Sequence, residues 1–138
     1  MTIINDIRAC LDTHLTNTPG IPSIARQNVP FKPTNGVPYV QATLTPTSRR
    51  PAVRGLNPQQ RYEGIYTILV ATPEGLGSGA GYDYADLLLE RFNSTTDISH
   101  TISGKTTIIS IDYSEVRGSF LDSPFYFTPV VVSWYTYH

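Results

Sequence analysis

The sequence predicts an α+β fold, in which a small mixed or antiparallel sheet of about four to five strands carries two amphipathic helices on one face. Two segments repeat apolar residues at three- and four-residue spacings, as amphipathic helices do. Five others alternate, or are rich in β-branched and aromatic residues, as strands are. The chain has 138 residues, 40% hydrophobic and 15% charged, which suits one domain. We therefore predict a single domain over residues 1–138.

The first helix is predicted over residues 2–15, with Thr2 as its cap. Its apolar stripe consists of Ile3, Ile7, Cys10, Leu11 and Leu15. The next segment, residues 16–38, contains several prolines, which exclude a long helix because each removes a backbone donor. Four apolar side chains are predicted to anchor this segment to the core: Ile21, Ile24, Val29 and Phe31.

Two strands are predicted in the middle of the chain, with a long arm between them. Residues 39–44 alternate as a half-buried strand does, and residues 62–71 are apolar on both faces, which favours a central position in the sheet. Between them, residues 45–61 are interrupted by proline and glycine. An extended arm of this length reaches ~50 Å. It carries four arginines and no acid: Arg49, Arg50, Arg54 and Arg61.

The second half predicts a helix, a hairpin and a final strand. The glycine-rich residues 72–81 precede a helix with Ala85, Leu88, Leu89 and Phe92 on its apolar stripe, and with Asp83 in its first turn, where a carboxylate offsets the helix dipole. Residues 98–103 and 106–113 form the hairpin, around a turn at Gly104 and Lys105. Residues 125–137 form the last strand, in which Pro129 indicates an edge position or a bulge.

The charges divide the chain into a basic part and an acidic part. Residues 1–62 hold seven bases and two acids, whereas residues 63–138 hold nine acids and three bases. The basic arm has three readings: a solvated loop, a nucleic-acid-binding segment that uses Tyr39 or Tyr62 beside the arginines, or one half of a head-to-tail contact between copies. The contact between copies is favoured over nucleic acid. Its acidic half is predicted on the second helix, at Asp83, Asp86 and Glu90.

Two clusters were weighed as sites of chemistry. Gly75, Gly77 and Ala80 fit a loosened dinucleotide-binding pattern between a strand and a helix. Pro73 and Glu74 lengthen the turn, the Glu74 carboxylate repels phosphate, and the chain is too short for a doubly wound sheet, so a flexible loop is favoured. Near the N-terminus, a metal or thiolate site is conceivable at Asp6, Cys10 and His14. Cys10 lies on the apolar stripe, which favours a buried thiol.

No other pattern indicates catalysis. Ser78 does not fit the G-x-S-x-G pattern of a nucleophile elbow, because Leu76 and Ala80 stand at the two glycine positions. His100 and His138 have no evident partner. The aromatic residues of the last strand predict a core on one side and an interface on the other, with Trp134 or the pair Tyr135 and Tyr137 exposed. We therefore expect no enzymatic activity, no catalytic residue, no cofactor and no metal. No apolar run approaches the roughly 18 residues that a membrane span needs, so no membrane partner is expected.

Several short motifs resemble phage proteins of the tail-terminator and tail-completion type, such as the lambda-like minor tail protein that caps the tail tube. The motifs are Asn28-Val29-Pro30-Phe31-Lys32-Pro33, Gly36-Val37-Pro38-Tyr39-Val40, Arg61-Tyr62-Glu63-Gly64-Ile65-Tyr66 with Val70, Pro73, Gly75 and Gly77, Asp122-Ser123-Pro124-Phe125-Tyr126 and Pro129-Val130-Val131-Val132-Ser133-Trp134. Their succession, from about Ile24 to the end, carries the resemblance.

The resemblance implies a structural protein of the virion tail, made in the host cytoplasm and assembled as a hexameric ring at the head-proximal end of the tail tube. There it stops tube polymerisation and offers a surface to the head-completion or connector proteins. The implied partners are further copies of the chain, the tail tube protein and the head-completion protein. Nucleic acid is implied only as DNA that passes through the ring lumen.

Overall fold

A computed structural model describes residues 3–53, 55, 59–95 and 97–138. It contains two helices, α1 (Ile3–Thr16) and α2 (Gly79–Arg91). Its strands are β1 (Ser23–Ala25), β2 (Tyr39–Pro51), β3 (Gln60–Pro73), β4 (Asp97–Ile102), β5 (Lys105–Val116), β6 (Phe120–Asp122) and β7 (Phe125–Tyr137). The two predicted helices and the five predicted strand segments are thus confirmed as elements. Thr2, the predicted cap, lies outside the described residues.

The sheet is larger than predicted. Six strands follow the order β1-β2-β3-β7-β5-β4, and β6 joins as a seventh by pairing with β7. All pairs are antiparallel except β1 with β2. The prediction of a four-to-five-strand α+β sheet is therefore wrong, because the protein is mostly β, with 49% of the described residues in strands and the path curled into a half-barrel. β1 and β6 escape prediction because three residues are too few to show alternation.

One face of the sheet, the helix face, packs against both helices and forms the main core. Ile7 and Leu11 of α1 and Leu88 of α2 are fully buried against it, together with Tyr66 and Trp134 from the central strands. The predicted apolar stripes of both helices are thereby confirmed. Among the described residues, no helix is long and apolar enough to cross a membrane.

The segment predicted as a long arm is the outer part of a β-hairpin. β2 runs on to Pro51, which pairs with Gln60 of β3. The prolines did not end the strand, because a proline on an edge strand leaves its missing N–H on the unpaired side. From Pro46 to Pro51 the hairpin extends ~17 Å at about 3.3 Å per residue, so the predicted ~50 Å reach is wrong. We call residues 46–51 and 60–64 the distal hairpin.

Pro129 lies in a central strand, so its predicted edge position is wrong. β7 pairs with β3 on one side and with β5 and β6 on the other. The carbonyl of Pro129 accepts a hydrogen bond from the N–H of Arg117 at 2.9 Å. Its nitrogen points to the same side, where β5 has ended at Val116 and β6 has not begun. The proline therefore sits at a gap in the ladder.

Other local predictions were wrong in detail. Val29 is 55% exposed and does not anchor the segment before β2. Phe31 is 38% exposed, but its ring centroid lies 5.1 Å from that of Tyr39, and Ile21 and Ile24 pack on the core as predicted. Asp83 is the fifth residue of α2, beyond the first turn, because the helix already begins within the glycine-rich segment. The β4–β5 turn lies one residue earlier than predicted, at Ser103 and Gly104, whose φ angles are 52° and 79°.

Lowering the pH from about 7.5 to about 5.5 is expected to reduce the free energy of unfolding through His14. Its Nε2 lies 3.0 Å from the carbonyl oxygen of Arg91, and its ring meets Phe92 edge-on. Burial holds the pKa of His14 below its usual 6.5. Below pH 6.5 the unfolded chain therefore binds a proton that the folded chain does not, so stability falls with the pH toward the folded-state pKa. One proton limits the slope to about 1.4 kcal/mol per pH unit.

Urea unfolding across this pH range, for the protein and for His14→Gln, measures the effect. The variant should show a flatter profile, and equal slopes would refute the assignment. Glu63 does not titrate in this pH range, because hydrogen bonds from the Ser48 hydroxyl, the larger effect, and from Arg61 hold its pKa below 4.5. The stability that ionised Glu63 contributes is therefore lost only at lower pH.

Candidate functional site

The distal hairpin presents its arginines on two faces. Arg49 pairs with Tyr62 in the register and lies on the helix face of the sheet, with its guanidinium 5.6 Å from the Tyr62 ring centroid. Arg50 pairs with Arg61, and both lie on the opposite face, which we call the open face. The hairpin therefore carries positive charge on both sides of one narrow ribbon. Arg54, the fourth predicted arginine, lies outside the described residues.

Glu63 is the acid that organises the open face of the hairpin. Its carboxylate accepts a hydrogen bond from the Ser48 hydroxyl at 2.7 Å and one from Nε of Arg61 at 3.2 Å. Nη2 of Arg50 lies 3.6 Å from the same carboxylate. The side chain of Arg50 is nonetheless 62% exposed. Arg50 therefore keeps most of its surface available to a partner.

Arg61 is fixed by aromatic neighbours on the last strand. Its guanidinium lies 4.3 Å from the ring centroid of Tyr135 and donates a hydrogen bond to the Tyr137 hydroxyl at 2.9 Å. With Glu63 as a third contact, this arginine holds β3 and β7 together at the base of the hairpin. Arg61 thus has an intramolecular role, and the more exposed charges of the described hairpin are Arg49 and Arg50.

The predicted acidic residues lie away from the arginines within one chain. Asp83, Asp86 and Glu90 are exposed on α2 and make no ion pair with any residue that the structure describes. The N-terminal turn of α2 packs on β7, where Cβ of an alanine at Gly81 would lie 2.5 Å from Oγ1 of Thr128. Thr128 belongs to the end of the sheet remote from the hairpin. Within the described chain none of the three acids forms an ion pair with a hairpin arginine, so their carboxylates are free of these arginines.

Comparison with protein families decides the identity. The sequence profile described as phage tail terminator protein matches residues 5–134, nearly the whole chain. The chain belongs to this family. The resemblance seen in the sequence motifs is thereby confirmed, and this family member is a structural protein of the phage tail.

A solved structure shares the fold. It matches with a TM-score of 0.71 and 19% sequence identity, covering 100% of this chain and 97% of the other. At that identity the likeness shows the fold alone. Among curated proteins, none matches the chain.

In this tail terminator protein, the glycine-rich segment forms a turn that leads into α2. Gly75 and Gly77 have φ angles of 87° and 76°, a region that favours glycine. Glu74, just before them, accepts a hydrogen bond from the Ser123 hydroxyl at 2.9 Å. The carboxylate is thus held at the mouth of the turn, where it repels phosphate. The positive φ predicted for this loop is confirmed.

The three N-terminal groups weighed as a metal or thiolate site point to different partners. Cys10 donates weakly to the carbonyl oxygens of Ile98 and Thr107, at 3.7 and 3.9 Å. His14 contacts a backbone oxygen of α2, and Asp6 lies 3.4 Å from Nζ of Lys105. Among the described residues, no three such side chains gather around one point. Each of them instead ties α1 to its neighbours.

Cys10 is expected to resist thiol reagents in the folded protein. It is 1% exposed, and burial raises the pKa of its thiol to about 11. The thiolate is therefore scarce at neutral pH. With an aromatic disulfide reagent, the native protein should show no labelling on the timescale on which the urea-unfolded chain is fully labelled. Equal rates would contradict the burial.

Of the two predicted alternatives for the aromatic residues of β7, the structure selects the pair Tyr135 and Tyr137 as the more exposed side. Trp134 is 1% exposed in the core, whereas Tyr135 and Tyr137 lie on the open face. The open face also holds a second apolar cluster at the end remote from the hairpin, which sequence reasoning missed. It comprises Ala25, Tyr39, Ala71, Phe125 and Phe127. Alternation along residues 125–137 places Phe125 and Phe127 opposite Trp134, and this signal could have revealed the cluster.

Proposed function

We propose that this protein caps the head-proximal end of the phage tail tube, terminates polymerisation of the tube protein and offers the surface to which the head-completion protein binds. It acts as a ring of identical copies, a hexamer. The observation that carries the proposal is the family match over residues 5–134. No reaction is required of it, since capping depends on shape and charge.

The exposed charges support two separate contact surfaces. Arg49 and Arg50 project from the distal hairpin, and with Arg54 they form the basic half of the contact between neighbouring copies. Asp83, Asp86 and Glu90 lie on the exposed side of α2 and form no ion pair with the described hairpin arginines. Opposite charges speed association and select partners. We assign the acidic surface to a tail or head protein and the basic hairpin to the next copy.

The role of each surface predicts a different defect. Reversal of the hairpin arginines should prevent ring formation. Reversal of the three acids of α2 should leave the ring intact and impair its attachment to a partner. Sedimentation of the purified variants separates these outcomes. Ring loss in the α2 variant would place the acids in the contact between copies instead.

Electron microscopy of tails made without this protein tests the proposed function. Tubes of irregular, excessive length without attached heads are expected, and normal length should return when the protein is supplied in trans. Tails of normal length and attachment in its absence would refute the proposal. A nucleic-acid-binding module would instead retain free DNA, with an affinity that falls steeply as salt increases. Binding to DNA alone, without any effect on tails, would favour that alternative.

A further inference from the structure

The sheet has two edges, and they differ in how they are protected. β1 covers only the first three residues of β2, so the rest of β2 is an edge, and β4 is the edge on the other side. An exposed edge offers unpaired N–H and C=O groups to any other strand. Proteins therefore usually guard such edges with proline, charge or a bulge.

The edge of β2 is guarded over its first part. The N–H of Leu44 donates to the side-chain oxygen of Gln27 at 3.1 Å, which shows that the backbone N–H of Leu44 faces away from β3. Pro46 has no N–H, and a bulge follows between Pro46 and Ser48. Beyond the bulge the alternation resumes, and Arg49 is the next residue whose N–H and C=O face outward. Pro51 also faces outward and has no N–H, so between the two prolines the distal hairpin offers one outward N–H, that of Arg49.

The edge of β4 is unguarded. Its sequence, Asp-Ile-Ser-His-Thr-Ile, contains no proline, lysine or arginine. The two-residue turn at its end makes Ile102 and Lys105 a hydrogen-bonded pair, so the backbone groups of Ser99 and Thr101 face away from β5. In the described chain, neither residue has a backbone partner on that side. The open edge is therefore a ready template for another strand.

The two open edges lie at the same height in the sheet. Following the register across the strands, Asp97 pairs with Ser110, Ser110 with Tyr135, Tyr135 with Glu63, and Glu63 with Ser48. β2 and β4 also run in the same direction, because four antiparallel steps connect them: β2 to β3, β3 to β7, β7 to β5 and β5 to β4. Rotating one copy about an axis parallel to the strands therefore places its β2 edge beside the β4 edge of the next copy, at the same height. Repeating this rotation from copy to copy can close a ring.

The charges of the two edges are complementary. The distal part of β2 carries Arg49 and Arg50. The β4–β5 hairpin carries Asp97 at its edge, and of its other acids Glu115 is already paired with Arg117. Asp97 and Arg50 both lie on the open face. In a sheet that continues from one copy to the next, they would be neighbours.

We propose that β4 of one copy pairs with the distal part of β2, residues 47–51, of the next copy, so that the sheets join head to tail around the ring. The proposal rests on the proposed ring and names its joint. The occupant of the β4 edge is a second copy of this chain, because the complementary open strand lies level with β4, runs in the same direction and has the opposite charge.

Ser99→Pro tests the β4 edge. Proline removes an outward-facing N–H and leaves the β4–β5 hydrogen bonds in place, as edge strands allow. Ser99→Ala is the matched control, because it shortens the same side chain and keeps the N–H. We expect association between copies to weaken at least about 10-fold in Ser99→Pro, as the loss of one hydrogen bond per joint implies, and to stay unchanged in Ser99→Ala. Thermal unfolding checks that both variants fold. If Ser99→Pro does not fold, Thr101→Pro replaces it as the test of the β4 edge.

Arg49→Pro tests the other half of the joint, with Arg49→Ala as the control that keeps the N–H. Neither Ser99→Pro nor Arg49→Pro alone should form rings on tail tubes. An equimolar mixture should form dimers and nothing larger, because only one intact pair of edges remains. Sedimentation gives the sizes, and tail length gives the capping in cells that lack the wild-type gene.

Each outcome decides between the possibilities. Rings formed by Ser99→Pro would overturn the proposed joint while the capping function stands. Rings formed by Arg49→Pro but not by Ser99→Pro would mean that β4 pairs with β4 or with another tail protein, which also overturns it. Failure of the wild-type protein to restore tail length would instead refute the proposed function.

Discussion

Gly64→Ala is expected to reduce the free energy of unfolding by about 3 kcal/mol. Gly64 lies on the helix face of β3, at the bulge of β2. A Cβ atom there would lie 2.6 Å from the backbone oxygen of Thr45, 2.7 Å from Cζ2 of Trp134 and 2.9 Å from Cα of Pro46. Two of these neighbours are backbone atoms, which cannot move aside as a side chain can. The indole of Trp134 is itself fully buried in the core.

Urea or thermal unfolding measures this loss, which corresponds to a drop in Tm of about 10 °C for a chain of this length. Gly118→Ala is the control, because a Cβ there meets nothing within 4 Å. Its stability should stay within about 0.5 kcal/mol of the wild type, as is usual at the surface. A Gly64→Ala protein as stable as Gly118→Ala would show that the bulge can relax, and the close packing of β2 on Trp134 would then be wrong.

Replacing Arg49 and Arg50 together by glutamate is expected to abolish assembly while the monomer stays folded. Both side chains are exposed on the distal hairpin, and reversing Arg50 places a like charge on the same face as Asp97 of the neighbouring copy in the proposed joint. Arg50 also lies 3.6 Å from Glu63. This exposed pair contributes little to stability, at most about 1 kcal/mol. We expect association at least about 100-fold weaker, since like charges across an interface cost several kcal/mol.

A second double variant, Lys32→Glu with Arg117→Glu, changes the net charge by the same amount. Lys32 and Arg117 are exposed at the end of the sheet remote from the hairpin. Assembly of this control should match the wild type in sedimentation and in tail length. If both variants fail equally, net charge and not the hairpin governs assembly. If both assemble normally, the arginines are not part of the contact between copies.

The helices and the longer strands could be predicted because their signals are local. α1 and α2 repeat apolar residues on one face, and β3 is apolar on both faces, a pattern typical of a central strand. The burial of Cys10 followed from its place on the α1 stripe. Periodicity failed at β1 and β6, which have three residues each. It also failed at residues 45–51, where proline and arginine imitate the composition of a loop although the residues belong to an edge strand.

The candidate site was predicted only as a set of charges. The four arginines stood out because no acid separates them, yet the sequence could not show that Arg61 is held by Glu63 and Tyr137. The contact with Tyr137 joins β3 to β7, whose residues are some seventy positions apart along the chain. Nor could it place the acids of α2 away from the hairpin, since that depends on where the helix crosses the sheet.

The sequence by itself determined the periodic elements, the division of charge along the chain and, through its succession of motifs, the tail-terminator family. These properties depend on residues that are near one another in the chain, so composition and spacing report them directly. Only the tertiary structure decided that Pro129 fits a central strand, that residues 45–51 extend β2 and that β4 has an open edge. Strand order and register arise from pairings between distant residues, and no local pattern records which strand is left without a neighbour.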